Sequence, residues 1–264
     1  MTISEFLGNI YNRDSLLFRA GMFTLIVAPL LLIPLSFDNR LVMGINPWIK
    51  PIKFCLSITI FVWTVAWMLH YFPTTSRWRK FVSKSIFIAM IIEILVILVQ
   101  AGRGTSSHFN MESEFDGIMF GAMGFMIILS TVASIVLFLM FVFKKPNLEK
   151  VYYYSILIGI AIFLLASYMG SIMITNMAHS VGVEDGGPGI PFFNWSTEGG
   201  DLRAAHFFGL HAFQIFPLFA FYIDKKTNIQ VSGRMATLLV FTLLYLTLLL
   251  YVFFKSMNGV PLFG

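Results

Sequence analysis

Charge is what this chain has least of. Only 12% of its 264 residues are Asp, Glu, Lys or Arg, while 58% are hydrophobic and the mean hydropathy is +0.82; soluble domains carry roughly twice that charged share. The deficit excludes a water-soluble globular fold. Cysteine is nearly absent too: Cys55 alone allows neither an intrachain disulfide nor a C-x-x-C metal or redox motif, and its apolar surroundings mark it as a packing residue. No hydrophilic block is large enough to fold by itself. GxGxxG, P-loop, HExxH and G-x-S-x-G patterns are all missing, which leaves nucleotide chemistry and the standard hydrolases without support. The last apolar run, MATLLVFTLLYLTLLLYVFF, holds no lysine that could carry retinal. A pI near 9.3 does not imply nucleic acid, because the bases fall in short clusters between apolar runs, as membrane topology requires.

What the chain does have is apolar runs of membrane-spanning length. A span needs about 20 residues, and seven stretches qualify, near 17–36, 52–72, 83–101, 117–143, 153–175, 202–222 and 234–255. The expected fold is an all-α integral membrane protein, a seven-transmembrane-helix bundle forming one polytopic domain over 1–264, with the lipid bilayer as its main partner. A homo-oligomer or a place in a larger membrane complex is left open. Pro47 and Pro51 predict an irregular elbow before the second span, with Trp48 at headgroup level. The first sixteen residues are amphipathic, so no cleavable signal peptide is expected. Connections at 77–84, 144–150 and 225–234 carry the basic clusters, which places them and the N-terminus on the cytoplasmic side and the C-terminus outside, in a bacterial cytoplasmic (inner) membrane. Ser113–Asp116 reads as a capping box opening the fourth span, and Asp201 as the cap of the sixth.

Polar groups inside spans are costly and therefore informative. Glu93 lies in the third span, about 12 Å below its outer end at 1.5 Å per residue, with Gln100 seven residues on along nearly the same face. His211 in the sixth span lies about 13 Å deep and Gln214 one turn further in, so depth alone predicts that Glu93 pairs with His211 or Gln214. Such a pair could lock helices together or relay protons. His206 and His211 stand about 140° apart around their helix and are expected to serve different neighbours. Gly121, Ala122 and Gly124, with Gly170 and Ser171, are small enough for close helix packing or a cavity.

The stretch 176–201 holds four carboxylates, six of the twenty glycines and two of the ten prolines. Pro188, Pro191, Phe192, Phe193 and Trp195 make it stiff and apolar, and it is expected to form a structured extracytoplasmic cap loop. His108, His179 and His206 come from three connections at one membrane level and are candidate metal ligands; with His211 they form the candidate cofactor set. Haem or copper is the group such a set would hold. Met169, Met173 and Met177 step toward His179 and could add thioether ligands, although methionines at helical spacing more often pack. His70, beside Tyr71, reads as interfacial. Asn194-Trp-Ser196 matches a short glycosylation sequon.

Three functional readings follow. One is a membrane redox or metal-binding protein with a haem or copper site under the 176–201 cap. Another is a proton-linked small-solute transporter in which Glu93, Gln100, His211 and Gln214 are the buried polar or proton-relay residues. The third is a non-catalytic subunit or assembly partner of a membrane complex. None assigns catalytic residues.

Overall fold

The computed structural model describes residues 2–226 and 230–263. Among the described residues, seven helical stretches are long and apolar enough to cross a membrane. The chain divides into two compact units, 1–140 and 141–264.

The first unit begins with α1 (Ile3–Arg13), an amphipathic helix opened by a full capping box between Thr2 and Glu5. Asp14 ends it and caps α2 (Ser15–Leu30) by accepting from Leu17 N at 3.1 Å. The first span is interrupted: α2 stops at Leu30 and α3 (Leu32–Phe37) resumes it. Pro34 accounts for the break, since its ring collides with the carbonyl four residues earlier and it has no N–H to donate. The second span, α4 (Ile49–Leu69), packs on α2. Gly21 makes room for the Trp63 indole, and the Thr24 and Thr59 hydroxyls meet at 2.7 Å. Small residues and interhelical hydrogen bonds of this kind hold helices together where lipid removes the hydrophobic drive.

Pro51 does not exclude helix, contrary to expectation. It lies in the first turn of α4, where backbone N–H groups have no intrahelical acceptor, so a missing N–H costs little. The irregular elbow is confined to 38–48 and held by Asp38, which takes Arg40 as an ion pair and Trp48 Nε1 at 2.8 Å. The third span is likewise longer than its apolar run. Helix α5 (Arg77–Arg103) starts at the Ser76 cap, so the basic cluster expected in a 77–84 connection belongs to the helix itself. Long basic side chains reach past the apolar zone and let helix continue beyond it. Helix α6 (Glu114–Lys144) follows.

In the second unit, α7 (Lys150–Asn176) and α8 (Leu202–Lys226) pack along their length, with α9 (Val231–Met257) against both. The connection expected over 225–234 falls partly on 227–229, outside the described residues, and Arg234 is already helical. Glycines set the α7–α8 contact. A methyl at Gly159 would come within 2.9 Å of Ala212 O, and one at Gly170 within 2.5 Å of the His206 ring. Gly121 and Gly124 do no such work, since a methyl there would meet nothing within 4 Å. Between α7 and α8, the 177–201 segment forms a short antiparallel ladder of β1 (Ser180–Val181) with β2 (Gly200–Asp201). Trp195 is buried against Phe193, Phe207 and Phe208. Asp201 opens α8 as expected, its carboxylate accepting from Arg203 N at 3.0 Å.

Candidate functional site

Glu93 sits on α5 about 15 Å from the Arg103 end of that helix, counting ten residues at 1.5 Å. Its side chain is buried, with 3% of the residue exposed. Around it Met90, Ile94 and Ile97 are buried as well. Among the described residues, Glu93 Oε2 has no hydrogen-bond partner. A carboxylate oxygen without a partner in such surroundings costs far more than it contributes to folding.

The imidazole beside Glu93 in its own unit is that of His108. Nε2 stands 3.9 Å from Glu93 Oε1, longer than a direct hydrogen bond and within reach of one after a small movement or through water. On the other side of the ring, Nδ1 meets Lys50 Nζ at 3.0 Å and Ser107 Oγ at 3.1 Å. The Phe54 ring lies 6.0 Å from the imidazole and 5.9 Å from the ammonium. Lys50, His108 and Glu93 thus form a line from the first turn of α4 to the interior of α5.

His108 reaches this position because the segment after α5 is folded back. Gly104 adopts φ +74°, a left-handed C-cap that closes the helix onto Ala101 O and Gln100 O, a conformation glycine takes at least cost. The Arg40 guanidinium fills the space a side chain would need there and donates to Gly102 O at 3.1 Å. Asn110 pins the turn by donating to Thr105 Oγ1 at 2.8 Å and Ser106 O at 3.1 Å, while Ser106 Oγ donates to His108 O at 2.8 Å. Outside the spans, the Arg40 side-chain hydrogen bond holds the Asp38 carboxyl well below the usual carboxylate range.

Gln100, expected on the Glu93 face, belongs to a neighbouring network. Its Nε2 donates to Asp116 Oδ1 at 2.7 Å, and Arg103 donates to both Gln100 and Asp116. Ser113 Oγ accepts from Asp116 N at 3.1 Å, as the predicted cap requires. The Asp116 carboxylate, rather than serving only the cap, ties the end of α5 to the start of α6.

The other sequence candidates lie in the second unit. His179 Nδ1 is 2.7 Å from Asp185 Oδ2, and the same carboxylate accepts from the backbone of His179 at 2.9 Å and Ser180 at 2.8 Å. Burial works to raise the Asp185 carboxyl, but its hydrogen bonds with His179 and Ser180 outweigh burial and hold it well below the usual carboxylate range. His206 Nδ1 bonds Ala166 O on α7 at 2.8 Å. His211 lies against Phe207, with ring centroids 4.4 Å apart. His206 and His211 therefore do serve different neighbours. Met169 and Met173 are buried packing residues and Met177 is exposed. Among the described residues, no three His, Cys, Asp or Glu side chains gather in a way that could hold a metal ion.

Lys50 is the functional candidate that sequence reasoning passed over. Its signal was a lysine three residues beyond Pro47 at the mouth of an apolar run, a place easily read as topology. No family model, curated protein or solved structure matches this chain.

Proposed function

We propose that this protein is a proton-linked membrane carrier of small solutes in which Glu93 takes up and releases the coupling proton and His108 is its exchange partner. The observation that carries the reading is the Glu93 carboxylate itself, buried in a membrane-length helix with one oxygen unpartnered and an imidazole 3.9 Å from the other. A purely structural carboxylate would have its oxygens satisfied, whereas intramembrane acids beside a titratable partner mark proton paths. His108 replaces His211 as the first partner of the carboxylate in this scheme. The His108 segment faces outside if the basic ends of α5, α7 and α9 are cytoplasmic, so protons would enter from the extracytoplasmic side.

The test is uptake by proteoliposomes under an imposed pH gradient, screened across metal cations, amino acids and sugars. Gradient-driven uptake that Glu93→Gln abolishes and His108→Gln slows is expected. Uptake equally fast in Glu93→Gln, or no gradient-dependent uptake of any class, would overturn the reading.

One observation favours a second reading. His179 Nδ1 bonded to Asp185 is the outer partnership that a metal-bound imidazole usually has. A haem or copper group held by histidines would give an optical spectrum or a metal content in the purified protein, and their lack after expression with both supplied would dispose of it.

A further inference from the structure

We propose that Lys50 is the proton-loading residue of the Glu93 site, fixing the tautomer of His108 and supplying the proton that moves inward. The inference rests on the proton-handling reading of Glu93 and extends it to the direction and origin of the proton. A lysine ammonium has donors only. With Nζ 3.0 Å from His108 Nδ1, that nitrogen must present its lone pair, so the neutral ring carries its proton on Nε2. Nε2 is the nitrogen that faces Glu93 Oε1 at 3.9 Å. The alternative tautomer would set an N–H against an ammonium.

Helix stability does not explain a lysine at this place. Lys50 lies in the first turn of α4, the end where the helix dipole opposes a cation. Its ammonium instead meets the His108 ring, whose far nitrogen faces Glu93. Ser107 Oγ, 3.1 Å from the same Nδ1, offers a second hydroxyl route for protons to that nitrogen.

The transfer balances without any further reactant. An N–H bond of the Lys50 ammonium breaks and its proton forms N–H on His108 Nδ1; the Nε2–H bond breaks and its proton forms O–H on Glu93. The products are a neutral amine, an imidazole protonated on Nδ1, and a carboxylic acid, so the charge of the three groups together is zero before and after. Lys50 regains a proton from solvent, and the imidazole returns to its starting tautomer by losing the Nδ1 proton to water and taking one from water on Nε2. The one geometric requirement is a closure of about 1 Å between Nε2 and Oε1 to reach hydrogen-bond distance, or a bridging water.

Nitrogen NMR of histidine-labelled protein in lipid tests this directly, with His108 assigned by its loss in His108→Gln. The wild type should show His108 with Nδ1 unprotonated and Nε2 protonated. Lys50→Met should shift the population toward the Nδ1-protonated form, and Lys50→Arg, which keeps a donor, should retain the wild-type pattern. A cooperative thermal unfolding transition in both variants is the control for folding. A His108 protonated on Nδ1 in the wild type, or a spectrum unchanged in Lys50→Met, overturns the role of Lys50. That failure is separable from failure of the carrier reading, which is decided by Glu93→Gln uptake and leaves the tautomer untouched.

Discussion

Replacing Asp185 by Asn isolates the contact that orders the 177–201 segment. Its carboxylate uses both oxygens: Oδ2 accepts from His179 N and Nδ1, and Oδ1 accepts from Ser180 N. An amide of the same shape has one accepting oxygen. If that oxygen keeps the two His179 bonds, the new NH2 points at the Ser180 N–H, leaving a donor against a donor. An unsatisfied group of this kind costs about 1–3 kcal/mol, so Asp185→Asn should raise opening of the turn by roughly 5- to 150-fold. Asp185→Ala, which removes all three acceptances but admits water, should fall in the same range or slightly above it. The assay is hydrogen exchange of the peptide spanning His179 and Ser180 in detergent or nanodiscs. Acid provides an independent check. Because the folded carboxyl lies below its ordinary value, its contribution is complete above an unfolded-state pKa of about 3.9 and is lost as pH falls through the folded value. Protection of these amides that is the same in Asp185→Asn as in the wild type would refute the reasoning.

Gly170→Val should lower thermal stability by about 1–3 kcal/mol, because a methyl there already comes within 2.5 Å of the His206 ring; a melting curve in detergent reads it. Asp116→Ala should lower thermal stability, although Arg103 is 41% exposed and water can replace part of its contact; thermal unfolding with exchange at the start of α6 checks both direction and place. Asn194 should carry no glycan despite its sequon, since it is buried and its backbone carbonyl accepts from Arg203; intact mass after expression in a glycosylating host should match the bare chain.

Long apolar runs made the seven spans legible, and Glu93 stood out because a carboxylate in such a run violates the pattern that defines the span. Helix starts at Ser113 and Asp201 were legible for the same local reason, a short polar side chain able to accept a backbone N–H. The approach of His108 to Glu93 was not. Counting depth along helices says nothing of His108, which reaches the carboxylate through a folded-back segment whose path depends on left-handed backbone at Gly104 and Phe109 (φ +57°). Nothing in hydrophobic periodicity reports such a path, and phenylalanine gives no hint of positive φ. Lys50 was hidden by two prolines that suggested an elbow, where the second falls in a helical turn that tolerates it. The helix ends of α5 and α9 ran past their apolar cores because snorkelling bases let helix extend beyond the lipid zone.

In the proposed carrier, Glu93 changes protonation state while the protein sits in a membrane. Difference infrared spectroscopy of the reconstituted protein, stepped in pH, observes that carboxyl without needing to know the solute. A carboxylic-acid carbonyl band is expected that rises and falls with pH, is missing in Glu93→Gln, and moves when His108 is replaced by Gln. Identical pH-difference spectra for the wild type and Glu93→Gln would contradict it.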